Sequence, residues 1–136
     1  MARLLDTTVL LDIVTADSQW LDWSTQQFRI AAGEGPVLIN PIVYAELAPA
    51  FNSSAALDRW VSPRLFRRLA LPYDAAFRAG QAFLAYRQRG GLKSSPLPDF
   101  YIGAHAEYER LTMVTRDAAR YRTYFPKLSL VTPGDR

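Results

Sequence analysis

Short apolar runs alternate with stretches of helical periodicity along the whole chain. Runs that predict buried strands lie at 3–5, 37–39, 111–115 and 128–131, with a weaker one at 66–71. Between them, apolar residues recur every three or four positions, which is typical of amphipathic helices. A strand followed by a helix, repeated several times, favours an α/β fold with a central, mostly parallel sheet.

Several helix boundaries can be predicted from single residues. Asp6 or Thr7 is placed to cap the first helix, and Asn40, followed by Pro41, is placed to begin the helix after the second strand. The clearest helix spans 73–89. We expect its buried face to consist of Tyr73, Ala76, Phe77, Gly80, Phe83 and Leu84.

The composition is that of a folded protein with a substantial core. A length of 136 residues suits one domain, so residues 1–136 are expected to form a single unit. The hydrophobic fraction of 49% excludes a disordered chain. The first apolar run is too short for a signal peptide, and no run approaches the roughly 20 apolar residues of a membrane span. We therefore expect a cytoplasmic protein.

The residue counts also restrict the kind of metal site. The chain has no cysteine and a single histidine, His105, so zinc sites built from cysteine or several histidines are excluded. An ion would be held by oxygen atoms, which favours Mg²⁺ or Mn²⁺. The net charge of +3 and the pI of about 9.4 mildly favour an anionic partner.

Four acidic residues stand out by their position: Asp6, Glu46, Asp99 and Asp117. Asp6 follows the first strand, Asp99 begins a helix predicted for 99–110 after a loop at 93–98, and Asp117 follows the strand that ends at Thr115. The carboxyl ends of parallel strands meet at one edge of a sheet, so these turns are expected to converge. Four ionised carboxylates in one place need compensation, and two divalent cations would supply it, as in two-metal phosphoryl transfer.

A simpler interpretation treats these acids as helix caps and surface residues. Asp is a favoured capping residue, so this interpretation suits Asp6 and Asp99 when each is taken alone. It fails for Glu46, which lies inside a helix and shares a face with Ile42 and Val43. We therefore keep the metal site as the working hypothesis.

Four short motifs resemble those of one nuclease family. They are Leu4-Leu5-Asp6-Thr7-Thr8-Val9, Ile42-Val43-Tyr44-Ala45-Glu46-Leu47, Pro98-Asp99-Phe100-Tyr101-Ile102-Gly103-Ala104-His105-Ala106 and Thr115-Arg116-Asp117, and the tail Tyr121-Arg122-Thr123-Tyr124-Phe125-Pro126 has the same likeness. In this order and spacing, they resemble the PIN-domain nucleases, and among these the VapC-type toxins of bacterial toxin–antitoxin systems. The likeness extends over nearly the whole chain.

The resemblance implies a fold, an activity and partners. The fold would be a three-layer α/β/α arrangement, and the activity that of an endoribonuclease dependent on Mg²⁺ or Mn²⁺ and inhibited by a cognate VapB-like antitoxin. Asp6, Glu46, Asp99 and Asp117 occupy the positions of the family's metal-site acids. Thr115, and Thr7 or Thr8, match hydroxyl positions near that site. We also expect a homodimer.

Basic residues near the acids are candidates for RNA contacts. Arg87, Arg89 and Lys93 precede the helix of Asp99, and Arg116 adjoins Asp117. For the first three, a solvated helix end is an equally good interpretation. His105 is expected to be structural or at the surface. Asp12 and Asp22 are expected on solvated helix faces, although Asp12 is close in sequence to Asp6 and stays a candidate.

Three other functions remain to be weighed. The chain could be a non-catalytic module of a DNA-bound repressor complex, although the four acids argue against a degenerate site. It could also be a DNA-directed nuclease of the same fold. A phosphatase of the haloacid-dehalogenase kind is disfavoured, because such enzymes carry a second Asp two positions after the first, where this chain has Thr8.

Overall fold

The structure is a computed structural model that describes residues 2–91 and 97–134. Five strands and seven α-helices alternate along the described residues, with one 3-10 turn at Ala48–Ala50. The strands are β1 (Arg3–Leu5), β2 (Val37–Ile39), β3 (Phe66–Arg68), β4 (Thr112–Val114) and β5 (Ser129–Val131). The helices are α1 (Thr7–Val14), α2 (Leu21–Glu34), α3 (Pro41–Leu47), α4 (Ser54–Trp60), α5 (Tyr73–Gln88), α6 (Leu97–Tyr108) and α7 (Ala118–Tyr124).

The strands form one sheet in the order β3-β2-β1-β4-β5, and each neighbouring pair is parallel. β1 lies in the middle, where Leu4 pairs with Leu38 of β2 and Met113 of β4. The chain leaves β1 toward one edge of the sheet and returns on the other side of β1 as β4. In open parallel sheets, such a reversal leaves a crevice outside the carboxyl ends of the two strands. The predicted three-layer α/β/α fold is confirmed.

Local sequence signals account for most helix boundaries. Asn40 caps α3, because its side-chain oxygen accepts a hydrogen bond of 3.0 Å from the Val43 amide, and Pro41 occupies the first turn. Pro49 lies in the 3-10 turn that follows α3. α6 includes Leu97 and Pro98, which were predicted to belong to a loop, because proline fits the first turn of a helix. The rest of that predicted loop, 93–96, lies outside the described residues.

The prediction for the buried face of α5 was wrong for most of its large side chains. The helix packs against α6 through Ala75, Ala79 and Ala82, which are at most 2% exposed. By contrast, Tyr73 is 94% exposed and Phe77 is 71% exposed. Two stripes with helical spacing share this helix, and the small residues take the inner position because alanine allows two helix backbones to approach closely. Tyr73, Phe77 and Leu84 are left on the surface, whereas Phe83 is half-buried and packs against Phe100.

Aromatic rings fill the space between α6, α7 and the end of α5. Phe100 of α6 makes edge or tilted contacts with Tyr86, Tyr124 and Phe125, with ring centroids 5.3–6.1 Å apart. Such pairs stabilise a core beyond the burial of their area. Packing of these rings fixes α7, a helix that the sequence analysis did not predict, against α6.

Within residues 2–91 and 97–134, no helix has both the length and the apolar character that a membrane crossing requires.

Gly103 supplies a test of this packing. A Cβ atom at this position would lie 2.8 Å from Phe125 Cε2 and 2.9 Å from Tyr121 Cδ1, in rings that are fully buried. We expect Gly103→Ala to lower the free energy of unfolding by about 1–2 kcal/mol, because the overpacking outweighs the helix preference of alanine. Gly33→Ala in α2 is the matched control, since open space surrounds that position, and it should be neutral or stabilising. Equal urea midpoints for the two variants would contradict this account.

Candidate active site

Asp6 is the buried centre of the predicted site. It follows β1 directly, and its backbone amide donates to the Val114 carbonyl at 2.9 Å, which extends the ladder by one residue. Although Asp6 stands at the capping position of α1, its side chain does not cap that helix. Its Oδ2 instead accepts hydrogen bonds from the hydroxyls of Thr115 at 2.8 Å and Tyr121 at 3.5 Å. The capping interpretation therefore does not explain this carboxyl, which is 4% exposed.

Thr115 links Asp6 to Asp117. Its hydroxyl donates to Asp6 and accepts from the backbone amide of Asp117 at 3.0 Å. The Asp117 carboxylate caps α7 by accepting from the Arg120 amide at 3.5 Å, and its side chain is 47% exposed. The capping interpretation thus applies to the Asp117 side chain. Its backbone amide is linked to Asp6 through the Thr115 hydroxyl.

Glu46 is oriented from the neighbouring helix. The Thr7 hydroxyl, in the first turn of α1, donates to Glu46 Oε1 at 2.7 Å. This bond joins α1 to α3 across the crevice at the end of β1 and holds a half-buried carboxylate toward Asp6. Thr8 is exposed, so Thr7 is the hydroxyl that the structure brings to the acids.

Asp99 meets a cation that the sequence analysis did not identify. Arg120 of α7 donates from Nη1 to Asp99 Oδ2 at 2.7 Å, and the same nitrogen lies 3.1 Å from Asp117 Oδ2. One guanidinium nitrogen therefore bridges two of the four acids. The side chains of Arg120 and Asp99 are 28% and 27% exposed, so the bridge lies at the mouth of the crevice.

Burial and mutual repulsion raise the pKa of the inner acids. Burial raises the pKa of Asp6 to about 7, the hydrogen bond from Thr115 opposes this, and the charges of Asp99 and Glu46 add to it. Burial also raises the pKa of Asp99, followed by repulsion from Glu46 and Asp117, while Arg120 pulls it down. The pKa of Tyr121 is raised well above its usual value, first by burial and then by the charge of Asp6. Asp6 and Asp99 therefore lie within the electrostatic field of other acids at the carboxyl edge of the sheet.

The donor set suits a hard divalent ion. Carboxylate and hydroxyl oxygens are the ligands that Mg²⁺ and Mn²⁺ prefer, and added positive charge would relieve the repulsion around Asp6 and Asp99. In the part of the chain that the structure describes, no three His, Cys, Asp or Glu side chains are arranged to hold an ion as they stand. Arg120 stands between two of the acids in this arrangement.

His105 has a structural position behind the site. It is fully buried. Its Nδ1 lies 3.0 Å from the side-chain nitrogen Nδ2 of Asn40, and its Nε2 contacts the Glu109 carboxylate. Since the Asn40 oxygen caps α3, the histidine ties α6 to the start of the helix that carries Glu46. This agrees with the structural role expected for His105.

Asp12 is buried, contrary to the solvated position expected for it. Its carboxylate accepts hydrogen bonds from Nε and Nη2 of Arg116, both at 2.9 Å, and from the Ser24 hydroxyl at 2.7 Å. The Arg116 guanidinium also lies over the Trp20 ring, 5.0 Å from its centroid. Arg116 thus fastens the turn after β4 to α1 and α2, which is a structural task that the sequence analysis did not anticipate.

The other basic candidates are less tied to the acids. Arg87 and Arg89 are exposed at the end of α5, where their guanidinium groups lie over the rings of Phe83 and Tyr124 respectively. Lys93 lies outside the described residues. Contacts of these residues with RNA stay a prediction.

Sequence reasoning missed Arg120 and Tyr121 because it assigned no helix after Asp117. A signal was present: Asp117 is a good capping residue, and the residue three positions after a cap is placed to turn back toward it. Arg120 occupies that position. The buried hydroxyl of Tyr121, by contrast, is recognisable only once the position of Asp6 is known.

The raised pKa of Asp6 predicts how stability depends on pH in the absence of metal. Between pH 3.8 and about 7, the folded state holds a proton that the unfolded state has released, so wild-type stability should fall as the pH rises. Asp6→Asn should abolish this loss and raise the Tm by several degrees at pH 8 in EDTA, with a smaller gain at pH 5. The exposed Asp22→Asn serves as a control that should show no such trend. A gain independent of pH, or no gain, would contradict the account.

The chain is similar to a known protein family in sequence and to solved structures in fold. The sequence model of the PIN domain matches residues 3–126. No curated protein matches the chain at a significant level. The chain superposes with a TM-score of 0.71 and 21% identity on a structure of VapBC2 from Rickettsia felis bound to a promoter DNA fragment, covering 97% of this chain and 98% of the other.

Two further structures are similar over comparable lengths. FitAcB from Neisseria gonorrhoeae gives a TM-score of 0.67 at 22% identity over 94% of this chain and 95% of the other. A toxin–antitoxin complex from Klebsiella pneumoniae gives 0.68 at 22% identity over 99% and 100%. At these identities the likeness shows the fold, and the sequence model shows the family. With its parallel sheet and its acids at the crevice beside β1, this chain belongs to the PIN domain family.

Proposed function

We propose that this chain, as a single nuclease domain over residues 1–136, is a VapC-like toxin that hydrolyses RNA phosphodiester bonds with Mg²⁺ or Mn²⁺. The observation that carries the proposal is the buried Asp6, whose pKa is raised to about 7 beside Asp99 and Glu46 in the crevice of the sheet. A carboxyl kept in such a place without benefit to stability is typical of a functional site. Family membership makes nuclease chemistry the natural use of that site.

The residues of the chain have separate tasks in this proposal. Asp6 and Asp99 would be the first ligands of the ion, with Glu46 and Asp117 completing the set directly or through water. A divalent ion bound there would lower the pKa of an attacking water and neutralise charge at the phosphate. Thr115 and Thr7 fix the orientation of Asp6 and Glu46 through hydrogen bonds of 2.8 and 2.7 Å.

We propose RNA as the substrate because the proposed toxin role favours it over DNA. The basic surface by itself would suit either nucleic acid. The exposed Arg87 and Arg89 are placed to contact phosphates, with Lys93 as a further candidate, whereas Arg116 is already held by Asp12. A DNA-directed nuclease and a non-catalytic module remain as alternatives that the experiment below separates. Action on RNA would take place in the cytoplasm.

An antitoxin of the VapB kind is the proposed partner, since structures of similar fold are toxin–antitoxin complexes. A cavity of about 170 Å³ offers a place for it. Apolar side chains from α1, α2, α4, the residue before β3 and the first residue of β3 line this cavity: Ile13, Phe28, Trp60, Leu65 and Phe66. Leu65 is 44% exposed, so an apolar side chain of a partner helix would bury surface that now faces water.

A second copy of the chain is the proposed occupant of the exposed stripe on α5. Phe77 and Leu84 lie on one face, nearly equidistant from the exposed Gly80 between them. If two copies of α5 crossed antiparallel near Gly80, each Phe77 would meet Leu84 of the partner subunit. Such self-complementarity is what a two-fold interface requires. The glycine would let the two backbones approach closely.

The nuclease proposal predicts a specific pattern of loss. Wild-type protein free of antitoxin should cleave single-stranded RNA in the presence of Mn²⁺ and not in EDTA. Asp6→Asn and Asp99→Asn should each lower the cleavage rate by about 100-fold or more, because each removes a charged ligand. Asp22→Asn, an exposed acid of α2, is the matched control and should retain normal cleavage.

Matched RNA and DNA substrates of one sequence separate the alternatives. Preferential cleavage of DNA would replace the RNA assignment, and absence of cleavage of either substrate by folded wild type would favour the non-catalytic module. Near-normal RNA cleavage by both Asn variants, with unchanged circular dichroism, would contradict the site itself.

The dimer proposal is tested by charge insertion. Phe77→Glu should convert a dimer into a monomer in light scattering, because two buried carboxylates would face an apolar surface. Ile30→Glu, at an exposed apolar residue of α2, is the control and should leave the dimer intact. A monomeric wild type, or a Phe77→Glu variant that remains dimeric, would refute this interface.

A further inference from the structure

We propose that Arg120 is a built-in counter-ion that competes with the divalent metal for Asp99 and Asp117. In this role it sets the metal concentration at which the site becomes loaded. The inference rests on the proposed function, because it concerns the metal site of that function.

The geometry of the bridge is that of a displaceable cation. A single nitrogen, Nη1, lies 2.7 Å from Asp99 Oδ2 and 3.1 Å from Asp117 Oδ2. An ion that used these two acids would need the same oxygens that now accept from the guanidinium. Arginine and metal would therefore exclude each other at this pair.

Arg120 also performs part of the electrostatic task of a metal. Its guanidinium places a positive charge between the carboxylates of Asp99 and Asp117, 2.7 and 3.1 Å from their oxygens. In the absence of an ion, the guanidinium therefore stabilises the folded state. Metal binding must overcome this contribution, which appears as a weaker apparent affinity.

Comparison with Arg116 shows why Arg120 can move. Arg116 binds Asp12 through two nitrogens at 2.9 Å, and Asp12 is almost fully buried. Arg120 uses one nitrogen, its side chain is 28% exposed, and Asp117 is 47% exposed. A partly exposed pair is weak and its long side chain has many alternative positions in water. Arg120 can leave the acids by side-chain rotation, without displacement of α7.

A fixed structural role for Arg120 makes the opposite prediction. If the guanidinium served to hold Asp99 and Asp117 in a productive arrangement, its removal would spread the acids and weaken metal binding. If it competes with the ion, its removal strengthens metal binding. The sign of the change in affinity therefore separates the two roles.

The experiment measures Mn²⁺ binding by calorimetry in the full chain, without substrate. Arg120→Gln should bind Mn²⁺ about fivefold to tenfold more tightly than wild type, as expected for loss of one partly exposed competitor. Arg120→Lys, which keeps the charge, should lie between the two. Arg122→Gln removes the same charge from an exposed position of the same helix and should stay within about twofold of wild type.

A second readout guards against misfolding. In EDTA, Arg120→Gln should melt below wild type because the acids lose their counter-ion, and Mn²⁺ should restore more stability to the variant than to wild type. Arg120→Met, which keeps an apolar stem of similar reach, provides an independent variant should the glutamine variant fail to fold.

The outcomes distinguish this inference from the function on which it depends. Mn²⁺ binding by wild type that is lost in Asp99→Asn, together with unchanged or weaker binding by Arg120→Gln, would overturn the competition and leave the metal site standing. Failure of wild type to bind Mn²⁺ at all would overturn both.

Discussion

The carboxyl group of Asp6 is held where a negative charge is costly, and much of the site follows from this constraint. Its backbone is fixed by the hydrogen bond to Val114, so the residue cannot withdraw from the end of the central strand. Its side chain is 4% exposed and lies within the field of Asp99 and Glu46. Hydroxyl groups of Thr115 and Tyr121 compensate in part, and the pKa is nevertheless raised to about 7.

Two of the neighbouring elements are fastened by buried or half-buried contacts, and a third meets the acids through a partly exposed ion pair. Thr7 ties α1 to the Glu46 helix, and Arg116 ties the turn after β4 to Asp12. Arg120 contacts Asp99 across α6 and α7, where it offsets charge rather than fixing the helices. Every one of these contacts joins segments that are distant in sequence. The fold thus uses ordinary hydrogen bonds to oppose a repulsion that it could have avoided with apolar residues, which is how functional sites commonly trade stability for chemistry.

Those parts of the structure that depend on local signals could be predicted from the sequence. The strands at β1 and β2 and the start of α3 at Asn40-Pro41 follow from apolar runs and capping chemistry, and the position of Asp6 at the carboxyl end of a central strand follows from the parallel sheet. The buried face of α5 could not be predicted, because its alanine stripe and its aromatic stripe have the same period. Choosing between them requires knowledge that α6 packs closely against the helix.

The same limit explains the polar residues that were misplaced or missed. Asp12 looks like a solvated residue until Arg116, which follows it by more than a hundred positions, is brought to it by β4. Arg120 gains its significance only from the meeting of α6 and α7. Hydrophobic periodicity carries no information about such pairings, since they depend on tertiary contacts between charged side chains.

The most direct test of the central claim is a crystal structure of the protein with Mn²⁺, with the ion located by its anomalous scattering. The account predicts an anomalous peak within coordination distance of Asp6 and Asp99, with the Arg120 guanidinium displaced from the two acids that it now bridges. It would be contradicted by a site without a peak at saturating Mn²⁺, or by a peak only at surface carboxylates remote from the end of β1.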